Sequence, residues 1–209
     1  KVTVLGGQHV PSSGSGPLLV LCLHRNGAVD AFVCRAAVRR LTFIIRAKLR
    51  NNPLAKIFFS GIEVVRSDDG GKAKDTLKMI ETCASHLNGD HPLAIFPEGT
   101  SKLGPRHLPF KSGAARIALR FLEEGKTLTV IPLGIHYECP WAFRSRVEVV
   151  IGEPIILEPN SSTVSRGAVL RGIKQQFTTA LESVGLNVPD EETYDRVNQF
   201  AYMATLGSK

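Results

Sequence analysis

The unbroken apolar run Pro17-Leu18-Leu19-Val20-Leu21-Cys22-Leu23 constrains this chain most. A strand with one wet face alternates apolar and polar residues. A run without polar interruption is a strand buried on both faces, and it demands packed layers above and below it. Residues 41–45, 62–65 and 93–96 repeat the pattern more briefly, and 128–135 and 147–151 add two more strands.

Helical stretches separate these runs. Helices are expected over residues 31–40 and 52–59, and over a segment carrying Leu77, Ile80, Ala84 and Leu87 on one face, capped by Asp68 or Asp69. Another spans 112–124, with Gly125 as its stop, and a long one spans 166–184, with Val169, Ile173, Phe177 and Leu181 along one stripe. A last helix is expected over 194–206. Strands alternating with helices predict an α/β fold, a mostly parallel central sheet flanked by helices. At 209 residues one domain over 1–209 is expected, and its first residue, Lys1, suggests a chain trimmed at both ends.

In such sheets ligands gather beyond the C-terminal ends of the strands. His24, Arg66 and Pro97-Glu98-Gly99 all follow strands directly, so they can share one cleft although far apart in sequence. His24 and Asp30 offer a base with an orienting carboxylate. Such a spacing arises by chance about 0.2 times in a chain of this composition, so alone it is weak. On one ideal helix residues six apart point about 240° apart. The pair therefore needs a loop, and Asn26-Gly27 can supply it because glycine tolerates tight-turn geometry. Asp30 would then accept from one ring nitrogen while the other faces substrate. The plainer reading is a strand-end histidine satisfied by backbone.

Phe96-Pro97-Glu98-Gly99-Thr100-Ser101 forms a turn after a strand, with backbone N–H groups and small hydroxyls that suit an anion. Lys102, Arg106 and Lys111 follow it. This is phosphate-binding chemistry, or else an ordinary loop with solvated charges.

Taken together the segments resemble the glycerolipid acyltransferases, the glycerol-3-phosphate and lysophosphatidate enzymes. The resemblance rests on His24-Arg25-Asn26-Gly27-Ala28-Val29-Asp30, Gly61-Ile62-Glu63-Val64-Val65-Arg66, Phe96-Pro97-Glu98-Gly99-Thr100-Ser101 and Val130-Ile131-Pro132-Leu133-Gly134, in this order. Five residues separate His24 from Asp30 where the commonest family form has four, which leans towards the branch containing fungal-type glycerol-3-phosphate acyltransferases. The resemblance implies that His24 is the general base and Asp30 its orienter. The co-substrate is acyl-CoA or acyl-carrier protein, and the acceptor is glycerol 3-phosphate or 1-acylglycerol 3-phosphate. It places Arg66, Glu98, Gly99, Thr100, Lys102, Arg106 and Lys111 around the acceptor and Pro132 on the acyl-donor side. It calls for no cofactor and no metal. A thioester hydrolase and a catalytically silent lipid- or acyl-CoA-binding module are the alternatives.

A net charge of +7 favours anionic partners. Low aromatic content and the lack of a recognition module argue against nucleic acid. The basic residues Arg35, Arg39, Arg40, Arg46, Lys48 and Arg50 form either a membrane-surface patch or a solvated face. Cys22, Cys34, Cys83 and Cys139 lack metal-ligand spacing and read as reduced thiols, which favours a cytosol-facing, membrane-associated protein whose anchor would lie outside this chain. Oligomeric state has no signature here.

Overall fold

In the computed structural model of the chain, β2 (Leu18–Cys22) is buried at every residue. Its side chains divide between two cores. Leu19 and Leu21 enter one, while Leu18, Val20 and Cys22 enter the other, which is why the run is apolar throughout. The structure describes residues 1–12, 14–46, 61–64, 73–89, 91–142, 144–159 and 164–206. The helix expected over 52–59, the cap at Asp68 or Asp69, and Arg66, Lys48 and Arg50 lie outside these residues.

Among the described residues eight strands, β1 (Val2–Leu5), β2, β3 (Thr42–Arg46), β4 (Gly61–Val64), β5 (Leu93–Ile95), β6 (Leu128–Tyr137), β7 (Val147–Ile151) and β8 (Ile155–Leu157), form one sheet. Their order is β1-β7-β6-β2-β5-β3-β4, with β8 also on β6. Among these strands β6–β7 and β6–β8 pair antiparallel, and the other pairings are parallel. The expected mostly parallel α/β sheet is the observed one.

On one face lie α2 (Ala73–Leu87), α3 (Gly113–Leu122) and α4 (Arg166–Val184); on the other lies α1 (Ala28–Ala37). α5 (Glu191–Leu206) follows at the C-terminal side of the chain. The α4 stripe is as expected: Ile173, Phe177 and Leu181 are buried, each worth about 1.5–3 kcal/mol of transfer free energy. Its last residue, Val184, brings its carbonyl against β6 at Gly134, where an added Cβ would lie 2.0 Å from that oxygen. Only glycine permits that approach.

Two expectations need correction. The helical spacing puts Leu77 on the buried face of α2, but it is 60% exposed, and the buried stripe is Ile80, Cys83, Ala84 and Leu87. The helix expected over 31–40 is Ala28–Ala37, three residues earlier, because Asp30 belongs to its first turn. Among the described residues no helix is long and apolar enough to cross a membrane.

Candidate active site

β2 ends at Cys22 and the chain turns through residues 24–27 into α1. Gly27, the residue that caps the helix, has φ 54° and ψ −131°, a conformation almost confined to glycine. That bend folds the third helical residue, Asp30, back over the loop. Its Oδ2 accepts from His24 Nδ1 at 2.8 Å and from the backbone N–H groups of Arg25 at 2.7 Å and Asn26 at 2.8 Å. A carboxylate that reaches back from the first turn to N–H groups before the helix repeats the logic of a capping box. Asp30 is fully buried, with 0% of its surface exposed.

The remaining oxygen, Oδ1, accepts from the hydroxyl of Tyr137 at 2.6 Å. Burial, with the adjacent Asp30 charge and hydrogen bond, pushes the Tyr137 hydroxyl above its ordinary pKa, so it stays protonated and donates. Four donors thus fix this one carboxylate. With Nδ1 donating to Asp30, the lone pair of His24 sits on Nε2. The imidazole is 17% exposed and stacks on Phe96, with ring centroids 4.1 Å apart and planes 20° apart.

A second segment braces the first. Glu98 Oε1 accepts from the backbone N–H of His24 at 2.7 Å, and Oε2 accepts from that of Leu108, also at 2.7 Å. The Lys102 N–H returns a bond to the His24 carbonyl at 3.1 Å, and that of Lys111 bonds the Pro97 carbonyl at 2.9 Å. Glu98 is only 1% exposed. Its carboxylate therefore clips two loops together, a use different from the expected place in an acceptor pocket.

The other expected residues divide. Gly99 makes the turn, at φ 79°, and the Lys111 ammonium lies over it, 2.9 Å from where a Cβ would be. Thr100, Lys102 and Lys111 are exposed beside this turn. Arg106 is exposed and donates through Nε to the Val188 carbonyl at 3.0 Å, tying its loop to the segment after α4. Pro132 is buried within β6, paired opposite Leu21, and its ring faces Gly152. Arg66 lies outside the described residues. Among the described residues no group of His, Cys, Asp and Glu is placed to hold a metal ion.

Sequence reasoning missed Tyr137, Phe96 as a stacking platform, and Asn26, whose Nδ2 donates to the Pro140 carbonyl at 2.9 Å. One signal for Tyr137 is in the sequence: it lies two residues beyond the strand expected over 128–135, and in a parallel sheet the strand ends share the rim that holds His24.

A mostly parallel α/β sheet with a buried-carboxylate-backed histidine at the end of a central strand defines the class. The sequence profile of the Acyltransferase family matches residues 1–136, and the chain belongs to that family. It is 32% identical over 124 residues to Glycerol-3-phosphate O-acyltransferase 2 of Saccharomyces cerevisiae, which covers 57% of this chain and 17% of that protein. Over 49 residues it is 45% identical to the 1-acyl-sn-glycerol-3-phosphate acyltransferase of Helicobacter pylori, covering 23% of this chain and 21% of that one. Its fold is similar to that of PlsC, the 1-acyl-sn-glycerophosphate (LPA) acyltransferase of Thermotoga maritima, at a TM-score of 0.60 and 19% identity, covering 87% of this chain and 71% of that chain. The chain spans 17% of the length of the yeast relative.

Proposed function

We propose that this domain transfers a fatty acyl group from acyl-CoA or acyl-carrier protein to a hydroxyl of glycerol 3-phosphate or 1-acylglycerol 3-phosphate. The observation that carries the reading is the His24–Asp30 contact at 2.8 Å, which leaves Nε2 as the basic nitrogen. Nε2 takes the proton from the acceptor hydroxyl, and the oxygen attacks the thioester carbonyl. The thiolate leaves and recovers the proton from the imidazolium. Buried Asp30 holds the ring in one tautomer and offsets its positive charge during the reaction. General-base assistance of this kind contributes about 10²–10⁴ in rate. Direct transfer needs no covalent acyl-enzyme, and Cys22, Cys34 and Cys83 are buried, so none of the three is presented as a nucleophile.

Cationic side chains on the rim support a phosphate-bearing acceptor; Lys102 and Lys111 stand beside the Gly99 turn. A membrane surface suits such substrates. Exposed Arg39 and Arg40 end the α1 region, and the outer face of α1 exposes Val29 and Phe32. Arg35 instead turns inward, over the Phe43 ring at 5.3 Å.

The test is an assay of labelled acyl-CoA and acyl-carrier protein with glycerol 3-phosphate, lysophosphatidate or no acceptor. Transfer abolished by His24→Ala and strongly reduced by Asp30→Asn is the expected result. Equal turnover without acceptor would instead identify a thioester hydrolase, and unchanged transfer in His24→Ala would sink the mechanism.

A further inference from the structure

Arg25 follows His24 directly, yet its side chain points away from every role assigned above. It is 7% exposed, and one guanidinium nitrogen, Nη2, donates to the Leu186 carbonyl at 3.2 Å. The other, Nη1, is buried and has no hydrogen-bond partner among the described residues. A buried donor of a charged group left unpaired is costly, and such a group in a native site calls for an explanation.

Arg25 lines an open cleft with a cavity volume of about 60 Å³ between the loop after Ser101, the end of β6 and the segment after α4. Leu103, Ile135, Pro140 and Leu186 supply apolar walls, Tyr194 adds a phenol ring, and among the described residues no carboxylate lines it. The His136 imidazole is also present, but its Nε2 is engaged with the Val184 carbonyl at 3.1 Å, and burial, with the Arg25 charge adding to it, holds its pKa below the ordinary value. His136 is therefore neutral near pH 7, and among the described residues Arg25 is the one cation lining the cleft. Tyr137 belongs both to this wall and to the dyad, since its hydroxyl bonds Asp30.

We propose that this cleft is a phosphate-binding subsite in which Arg25 supplies the charge and the unpaired guanidinium donor. A planar guanidinium matches two phosphate oxygens at once, which a lysine cannot do. The apolar walls strengthen that pairing by excluding water from it. Both substrates of the proposed reaction carry phosphate: the acceptor on its glycerol, and acyl-CoA on its nucleotide. Which of them occupies the cleft rests on the acyl-transfer reading; the subsite itself does not.

The experiment titrates inorganic phosphate into the chain by calorimetry, in wild type, Arg25→Met, Leu103→Glu and Lys174→Met, with circular dichroism to verify folding. Leu103 is exposed at the cleft rim, so its replacement places a carboxylate in the mouth without disturbing the core. Lys174 is exposed on α4, outside the cleft lining and every site described above, and controls for the loss of one positive charge. Phosphate affinity should fall at least tenfold in Arg25→Met and in Leu103→Glu and hold in Lys174→Met. Should Arg25→Met fail to fold, Leu103→Glu decides the matter. Unchanged affinity in a folded Arg25→Met, or an equal loss in Lys174→Met, overturns the proposal. Kinetics then locate the source. A tenfold rise in the acceptor KM with the acyl-CoA KM unchanged assigns the cleft to the acceptor phosphate, and the reverse pattern assigns it to the nucleotide. Phosphate binding that depends on Arg25 in a chain without transferase activity would retain the subsite and remove the acyl-transfer reading.

Discussion

Tyr137 and Asp30, 107 residues apart, meet in a 2.6 Å hydrogen bond in which the phenol donates to the carboxylate oxygen that His24 leaves open. The bond ties the end of β6 to the first turn of α1. It also withdraws charge from the oxygen pair that must hold a protonated imidazole. Tyr137→Phe should therefore do two things. Oδ1 loses its donor inside a buried site, which costs about 1–3 kcal/mol of stability. A carboxylate with one fewer donor also holds the imidazolium more strongly, so the acid limb of the kcat/KM profile moves to higher pH. A purely structural tyrosine would lower stability and leave the pH profile where it was, so the profile is the decisive measurement.

Glu98 gives a different kind of prediction, because both its oxygens serve backbone N–H groups, of His24 and of Leu108. Glu98→Gln replaces one acceptor with an NH₂ group facing a donor. Stranding one buried N–H costs about 1–3 kcal/mol. For a domain of this size each kcal/mol lowers Tm by about 2–4 °C. The variant should melt earlier and lose kcat, since the backbone of the base is released, while the acceptor KM changes little. A raised acceptor KM at unchanged Tm would instead return Glu98 to the acceptor pocket that its sequence context suggests.

These two residues also show what the sequence could and could not disclose. β2 was legible because burial on both faces leaves no polar position, and α4 was legible because its apolar stripe repeats over nineteen residues. The His24–Asp30 contact was legible because a glycine between them allowed the loop. The start of α1 was not, since Asp30 acts from inside the helix and a carboxylate there looks like a boundary. β8 has three residues after a proline, too few for any period to emerge. Leu77 fitted the helical spacing of α2 but lies off the stripe set by Ile80, Cys83, Ala84 and Leu87. Tyr137, the clip role of Glu98 and the unpaired guanidinium of Arg25 depend on neighbours 10 to 161 residues away, as their hydrogen bonds show, and no local pattern encodes such pairings.

His136 links pH to stability. Burial, above all, holds its pKa below the ordinary 6.5, with Arg25 adding to the effect and the bond to Val184 opposing it. The unfolded chain protonates this imidazole near pH 6.5 while the folded chain resists, so the unfolded state binds more protons as pH falls. Stability from this residue is thus complete above about pH 6.5 and declines as pH drops towards the folded-state value. His86, lowered by burial and by His91, adds a contribution of the same sign. Denaturant melts at pH 7.5 and 5.5 should show lower stability at 5.5. His136→Gln, which retains a donor for the Val184 carbonyl, should reduce that difference without removing it. An equal difference in wild type and variant would place the pH sensitivity elsewhere.

Gly27 tests whether backbone strain, rather than contact, shapes the dyad loop. The nearest atom to an added Cβ is Ser101 Oγ, at 3.9 Å, so Gly27→Ala meets no clash. Its φ of 54° and ψ of −131° are nevertheless nearly closed to a residue with a side chain. Holding alanine there costs about 1–3 kcal/mol. The chain can lower that cost by relaxing the turn, but relaxation moves Asp30 away from His24, because the bend at Gly27 is what folds the first helical turn back over the loop. Gly27→Ala should therefore lose stability in denaturant melts and lose kcat together, with the greater loss in whichever property the loop sacrifices. Full stability and full turnover in that variant would mean that the loop reaches the 2.8 Å contact by another backbone path.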